Sequence, residues 1–102
     1  MDIQQLLKQA QVFQEKLQTV QEQLASRTFS ARAGGGMVSA TVNGRGELVD
    51  LKVEPEILAG NDPQMLRDLV LAAVNAALRE ARDESRAEMS KLTGGLNIPG
   101  LF

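Results

Sequence analysis

The residues of this chain that could do chemistry are almost all charged. The sequence contains 11 Lys and Arg, 13 Asp and Glu, and no His, Cys, Trp or Tyr. It therefore lacks the usual general base, thiol nucleophile and imidazole metal ligand. An enzyme would have to rely on carboxylates, lysines or hydroxyls alone. We accordingly expect no catalytic residue, no cofactor and no metal, and a carboxylate-based hydrolase is the least favoured class.

The basic residues are the candidates for a functional surface. Arg79, Arg82 and Arg86 step by three and four, so they share one face of a helix. Such a face often serves solubility alone, but two copies directed at one cavity would grip phosphates without reading bases. The primary candidates for phosphate contact are Arg79, Arg82, Arg86, Lys91, Lys8 and Lys16. The secondary candidates are Arg27, Arg32 and Arg45.

Two other patterns have simpler interpretations. The carboxylates over 80–88 are interleaved with arginines, which indicates an ion-paired, solvated helix face and not a cation site. The glycines at 34–36 and at 44 and 46 lie between expected strands. A phosphate-binding loop would join a strand to a helix N-terminus, so these glycines indicate turns.

Three segments, 28–33, 37–43 and 47–54, alternate apolar and polar residues, which predicts three strands with one apolar face each. The turns between them are short, so we expect an antiparallel meander. The hairpin turn after the second strand is rich in Asn and Gly, and we expect Gly44 to adopt a positive φ there. The expected core residues of the hairpin are Val38, Ala40 and Val42, then Val49, Leu51 and Val53.

A helix is predicted over about 2–26, because its apolar residues repeat every three and four positions. This heptad pattern fits either an amphipathic helix that covers its own sheet or a helix that contacts another helix. A second long helix is predicted over about 63–92, with Asp62 as its N-cap and Pro63 at its first position. One further helical turn is expected near Ile57. An apolar tail, 93–102, follows.

These lengths bear on assembly. Helices of about 25 and 30 residues span about 37 and 45 Å, whereas a compact chain of 102 residues has a radius of gyration of about 13 Å. We therefore expect one domain, 1–102, whose helices overrun the sheet, and a homodimer that covers the remaining apolar surface. No segment has the length and apolarity of a membrane span. The absence of cysteine suits a reducing cytoplasm.

Several motifs follow one another in a specific order: Gly34-Gly35-Gly36-Met37-Val38, the segment 42–48, the segment 53–58, the segment 70–77, the segment 89–96 and Ile98-Pro99-Gly100. Together they resemble the YbaB/EbfC family of bacterial nucleoid-associated DNA-binding proteins. Each glycine motif is weak alone, but the ordered set is specific and covers nearly the whole chain.

The resemblance implies an α+β fold, an αβββα domain with a three-stranded antiparallel meander and two long helices, assembled as a tweezer-like homodimer. It also implies binding of duplex DNA with little sequence preference in the bacterial cytoplasm and nucleoid, and a role in nucleoid organisation, DNA protection or gene regulation. It implies no enzyme activity, membrane or small-molecule substrate. The alternative is a protein-interaction adaptor that docks through the heptad helix and the apolar tail.

Overall fold

The structure, a computed structural model, describes residues 2–94 and confirms the α+β class. The elements are α1 (Ile3–Ser26), β1 (Thr28–Ala33), β2 (Val38–Asn43), β3 (Leu48–Val53), α2 (Pro55–Ala59) and α3 (Pro63–Leu92). The second and third strands each begin one residue later than the sequence predicts. Most of the expected apolar tail, from residue 95 on, lies outside the described residues.

Side-chain caps fix where the two long helices begin. The amide of Gln4 donates to Asp2 Oδ1 at 3.1 Å, which caps α1. The amide of Met65 donates to Asp62 Oδ1 at 3.1 Å at the start of α3, where Pro63 needs no hydrogen-bond acceptor. Both caps satisfy backbone donors that the first helical turn leaves free.

The core lies between α3 and two of the three strands. The sheet has the order β1-β2-β3, is antiparallel throughout, and α3 packs across β1 and β2. Val38, Ala40 and Val42 are fully buried, as predicted. Three alanines of α3 lie against these residues and Phe29 because their short side chains let the helix backbone approach the sheet: Ala73, Ala77 and Ala81.

The expectation for β3 is partly wrong, because a β-bulge shifts its register. Ala40 pairs with Leu51, as an unbroken alternation requires, but Val42 pairs with Leu48. Val49 is therefore the extra residue of the bulge, and Leu48 takes its place on the core face. Leu48, Val49 and Leu51 remain 48%, 52% and 39% exposed, and Val53 alone is half-buried. In a single chain, β3 thus contributes little to the core.

The expected role of Gly44 is also wrong. In the turn between β2 and β3, Gly46 has a positive φ of 83°, whereas Gly44 does not. Gly44 instead lies where the hairpin meets the end of α1: its amide donates to the Arg27 carbonyl at 3.0 Å. A Cβ there would collide with the Leu24 carbonyl group and lie 3.1 Å from Ala25 Cα. Close approach of two backbones, and not an unusual φ, requires the glycine.

Both long helices overrun the sheet. The Cα atoms have a radius of gyration of 19.3 Å, and the molecule extends over 69 × 22 × 16 Å. Only the C-terminal end of α1 packs on the rest of the chain: Leu24 is buried, but Phe13 is 40% exposed and Ile3 is 73% exposed. The heptad pattern therefore covers the sheet only at one end. The C-terminal half of α3 lies beside the C-terminal half of α1, where Glu88 meets Val20 and Leu24, and the N-terminal half of α1 projects further. We call this half of α1 and the C-terminal half of α3 the arms.

We predict that Gly44→Ala lowers the free energy of unfolding by about 2–3 kcal/mol, because a methyl group must push the backbone of α1 aside. The matched control is Gly46→Ala, which has open space around it and costs only the strain of positive φ, about 1–2 kcal/mol. Urea denaturation of both variants measures the difference. If Gly44→Ala unfolds like the parent protein, the contact between α1 and the hairpin is wrongly placed.

Candidate nucleic-acid interface

Three of the primary candidates lie on the outer face of α3. With about 100° of turn per residue, Arg79, Arg82 and Arg86 fall within an arc of about 60°, opposite the alanines that pack on the sheet. All three side chains are exposed. Within residues 2–94, Arg79 and Arg82 have no carboxylate partner, and the Nη1 atom of Arg86 lies 3.9 Å from Asp83 Oδ1. We call these three residues the arginine face.

The other three primary candidates border a groove between the arm of α1 and the end of α3. Lys8, Lys16 and Lys91 line this space of about 670 Å³. The two α1 lysines are separated by about 80° around the helix axis, yet both border the same groove. Its remaining lining consists of Gln5, Gln9, Val12, Phe13 and Leu92. We call it the lysine groove.

The lysine groove combines chemistry that suits a phosphate chain. Each ammonium group offers three hydrogen-bond donors, and each glutamine amide offers two. The only acceptors among these polar groups are the glutamine amide oxygens. Lys8 and Lys16 have no carboxylate partner among the described residues, while Lys91 Nζ lies 3.3 Å from Glu88 Oε1. The groove is open along its length, so an extended anion does not need to enter a closed pocket.

Arg27 is committed to a different contact. Its Nη1 atom lies 3.2 Å from Glu84 Oε1 and 4.0 Å from Glu88 Oε1, and its guanidinium carbon lies 5.3 Å from the centre of the Phe29 ring. It therefore ties the start of β1 to α3 across 57 residues of sequence. This pairing neutralises carboxylates on the inner side of α3 and leaves the arginine face on the outer side.

The remaining secondary candidates lie at opposite ends of the sheet. Arg45 is exposed in the turn between β2 and β3, where Asn43 Oδ1 accepts from the backbone amide of Arg45 at 3.0 Å. Arg32 is exposed on β1, on the sheet face that α3 does not cover. The structure therefore does not bring the nine candidates together: they fall into the arginine face, the lysine groove and three separate positions.

Three polar residues near these sites were not anticipated. Gln5 and Gln9 line the lysine groove, and Lys52 lies beside Arg32 across the sheet. The helical spacing of Gln5, Lys8 and Gln9, at three and four positions, is the signal by which the sequence could have identified their shared face. Placing Lys52 required the strand register. Within residues 2–94, no group of three or more acidic, His or Cys side chains is arranged to hold a metal ion.

The comparisons with known proteins agree with this architecture. The model of the YbaB/EbfC DNA-binding family matches residues 1–96. The chain belongs to this family. It is 52% identical over 101 residues to a nucleoid-associated protein of Thermoanaerobacter pseudethanolicus, an alignment that covers 99% of the chain and 91% of the relative. It is 50% identical over 96 residues to a nucleoid-associated protein of Clostridium acetobutylicum, covering 94% and 86%.

A solved structure has the same fold. An uncharacterized protein from Helicobacter pylori superimposes with a TM-score of 0.77 at 25% sequence identity, covering 91% of this chain and 98% of that one. The family and these bacterial relatives are named for DNA binding or nucleoid association and not for a reaction. In the described part of the chain, no helix is both long and apolar enough to cross a membrane.

We predict that Arg27→Gln acts on stability and not on DNA. The Arg27 and Glu84 side chains are 47% and 37% exposed, so solvent screening limits the loss in free energy of unfolding to about 0.5–1 kcal/mol. Arg45→Gln is the matched control and should leave stability unchanged, since Arg45 has no ion pair within residues 2–94. Urea denaturation gives the stabilities, and gel shifts give DNA affinity. Weaker DNA binding at unchanged stability would make Arg27 a phosphate ligand instead.

Proposed function

We propose that the protein binds duplex DNA as a homodimer, through phosphates and with little sequence preference. Acting in the nucleoid of the bacterial cytoplasm, it contributes to nucleoid organisation, DNA protection or gene regulation. Membership of a DNA-binding family and similarity to nucleoid-associated proteins support the general role. The phosphate contacts, the dimer and the lack of sequence preference rest on the geometry of this chain.

The observation that carries the proposal is a set of basic side chains on the arms that have no carboxylate partner within residues 2–94: Arg79, Arg82, Lys8 and Lys16. The net charge of the chain is −2, so a general positive field does not draw it to DNA. Instead, the carboxylates of Glu84 and Glu88 face Arg27, and Arg79 and Arg82 point away from them without partners in the described residues. A local basic surface on an acidic protein can bind phosphates without attracting polyanions over a long range.

The residue types also favour phosphate contact over base reading. Lysine and arginine side chains at exposed positions neutralise phosphates whatever the sequence beside them. Among the described residues, Phe13 is the one aromatic residue that lines the lysine groove, and it is a wall of that groove beside Val12. With one aromatic side chain among its lining residues, the groove has no row of platforms on which successive bases could stack, which favours a duplex as the ligand.

A second copy of this chain is the occupant we propose for the uncovered apolar surface. Because α3 covers only β1 and β2, Leu48 and Leu51 of β3 point to the core side of the sheet but remain 48% and 39% exposed. Val49 at the bulge and Leu71 on α3 are also exposed. A two-fold symmetric contact would cover the same apolar patch on both copies and place the arms as a pair.

The adaptor alternative has less support. Its first docking element, the arm of α1, does expose Ile3 and Leu6, but a second copy of the chain also accounts for that surface. Its second element, the apolar tail, lies largely outside the described residues. The comparisons name DNA binding and nucleoid association and do not favour an adaptor.

We predict a stable dimer that Leu51→Lys converts to a monomer, because an ammonium group would be buried in the apolar interface without a partner. Sedimentation at micromolar concentration should give twice the 11.0 kDa chain mass for the parent and the single mass for the variant. Thr28→Lys, on the other face of the sheet, adds the same charge and should stay dimeric. A monomeric parent would exclude the dimer, and a dimeric Leu51→Lys protein would place the interface elsewhere.

We predict that replacing Arg79, Arg82 and Arg86 together with Ala weakens binding to every duplex by a similar factor. It should also flatten the dependence of log affinity on log salt by about 0.9 for each phosphate that the variant no longer neutralises. Replacing Lys8 and Lys16 with Gln should act in the same direction. Circular dichroism should show intact helices, since these side chains are exposed.

The two sets of variants separate the possible DNA surfaces. An effect of the lysine variant alone would assign DNA to the lysine groove, and an effect of the arginine variant alone would assign it to the arginine face. Unchanged affinity in both would remove DNA from the arms. Weaker binding to one DNA sequence only would show that these side chains read bases, which contradicts binding through phosphates.

A further inference from the structure

The face of the sheet opposite α3 is a continuous polar surface. Alternation along the strands places Thr28 and Ser30 of β1 on it, with Thr41 of β2 and Asp50 of β3. All of these residues are exposed or half-buried, and Ser30 Oγ lies 2.7 Å from Thr41 Oγ1. These four positions carry no apolar side chain that a protein core or a membrane would cover.

One row across this face carries two cations. Arg32 on β1 pairs with Ser39 on β2, and Ser39 pairs with Lys52 on β3. The three side chains therefore lie side by side, with Ser39 in the middle, and the outer strands are about 9.5 Å apart. Within residues 2–94, neither Arg32 nor Lys52 has a carboxylate within ion-pair distance.

The row borders a shallow depression of about 290 Å³. Its lining includes all three residues of the row, together with Gly36, Met37, Val53 and Glu54. Gly36 has a φ of +93°, and a Cβ at this position would lie 3.9 Å from Arg32 Cδ, so the arginine stem runs beside the glycine turn. The depression thus brings the two cations and the Ser39 hydroxyl together beside the glycine turn.

We propose that Arg32, Ser39 and Lys52 form a phosphate-binding site that is separate from the arms. The guanidinium group offers a planar pair of donors, the ammonium group a compact charge and the serine hydroxyl a neutral donor, a combination that matches phosphate oxygens. The phosphate group is either free or part of a nucleic-acid backbone. The Glu54 carboxylate at the rim opposes binding and sets a limit on affinity.

The position of the site makes it independent of the proposed DNA surface. The glycine turn packs against Leu69 near the start of α3, and Arg79, the nearest member of the arginine face, follows 10 positions later, about 15 Å along the helix. The arginine face also lies on the outer side of α3, whereas Arg32 lies on the sheet face that α3 does not cover. The lysine groove begins at Lys91, 22 positions or about 33 Å beyond Leu69. Removing the charges of one surface leaves the other intact, so this site and the proposed function fail or succeed separately.

The test is a titration of the full-length ¹⁵N-labelled protein, followed by the amide signals of Gly36 and Ser39. The probes are inorganic phosphate, at an ionic strength held constant with sodium chloride, and a short oligothymidylate. We expect saturable shifts of both signals. Arg32→Gln and Lys52→Gln should each weaken binding by about two- to fivefold, which is the range of exposed ion pairs.

Two further variants sharpen the test. Glu54→Gln should strengthen binding, because it removes the opposing charge, and it leaves α2 intact since the Glu54 side chain makes no capping hydrogen bond. Arg45→Gln is the matched control. Arg45 lies beyond Asn43, at the other end of β2 and about 13 Å along the strand from Ser39, so this variant should bind like the parent.

The two probes distinguish the possible sources of the phosphate group. Saturation by phosphate identifies the site as one for phosphate in general, and saturation by oligothymidylate alone identifies it as one for a nucleic-acid backbone. The absence of a saturable shift with both probes would overturn the proposal. Equal binding by the parent and the Arg32→Gln/Lys52→Gln double variant would also overturn it, provided that the signals outside the depression show the fold to be intact.

Discussion

The packing of the alanines of α3 on the sheet is the contact on which the rest of the molecule depends. Ala73 and Ala77 are fully buried, and their small side chains hold the helix backbone close to β2. A single helix packs on this face of the sheet, and it covers β1 and β2 and leaves the apolar residues of β3 exposed. The same helix has 30 residues, about 45 Å, and its C-terminal half, which carries the arginine face, extends beyond strands of six residues. The position of α3 on the sheet therefore accounts for the uncovered patch, and its length accounts for its projection beyond the sheet.

The arms show how an acidic chain can present basic surfaces. Around the C-terminal half of α3, carboxylates that face inward are occupied by Arg27, whereas the arginine face points outward. Across the arm of α1, Lys8 and Lys16 meet Lys91 at one groove. Each arrangement concentrates positive charge in a small area, while the net charge keeps the molecule from binding polyanions indiscriminately. In the proposed dimer, contact geometry and two-fold symmetry would supply affinity that overall charge does not.

Much of the fold follows from local signals in the sequence. Asp2 and Asp62 mark the helix starts because a carboxylate before a helical pattern caps free amides, and the alternation of Val38, Ala40 and Val42 specifies the buried face of β2. The predictions for β3 and for Gly44 were wrong because both depend on contacts between residues that are distant in the sequence. The bulge at Val49 depends on pairing between β2 and β3, and the need for glycine at Gly44 depends on where α1 ends in space. For the site, spacing placed the arginine face correctly on one side of a helix. It did not reveal that Arg27 meets a carboxylate 57 residues away, or that Lys52 lies in a row with Arg32.

The central claim is that the arms hold the DNA backbone and not its bases. The most direct measurement is the affinity of the parent protein for two duplexes of equal length, one rich in A·T and one rich in G·C, over a series of salt concentrations. The account predicts two parallel lines of log affinity against log salt, with the same negative slope of about 0.9 per phosphate neutralised and nearly equal affinities. Affinity that is independent of salt, or that differs between the two duplexes by the factor of about 10³ or more typical of specific binding, would contradict it.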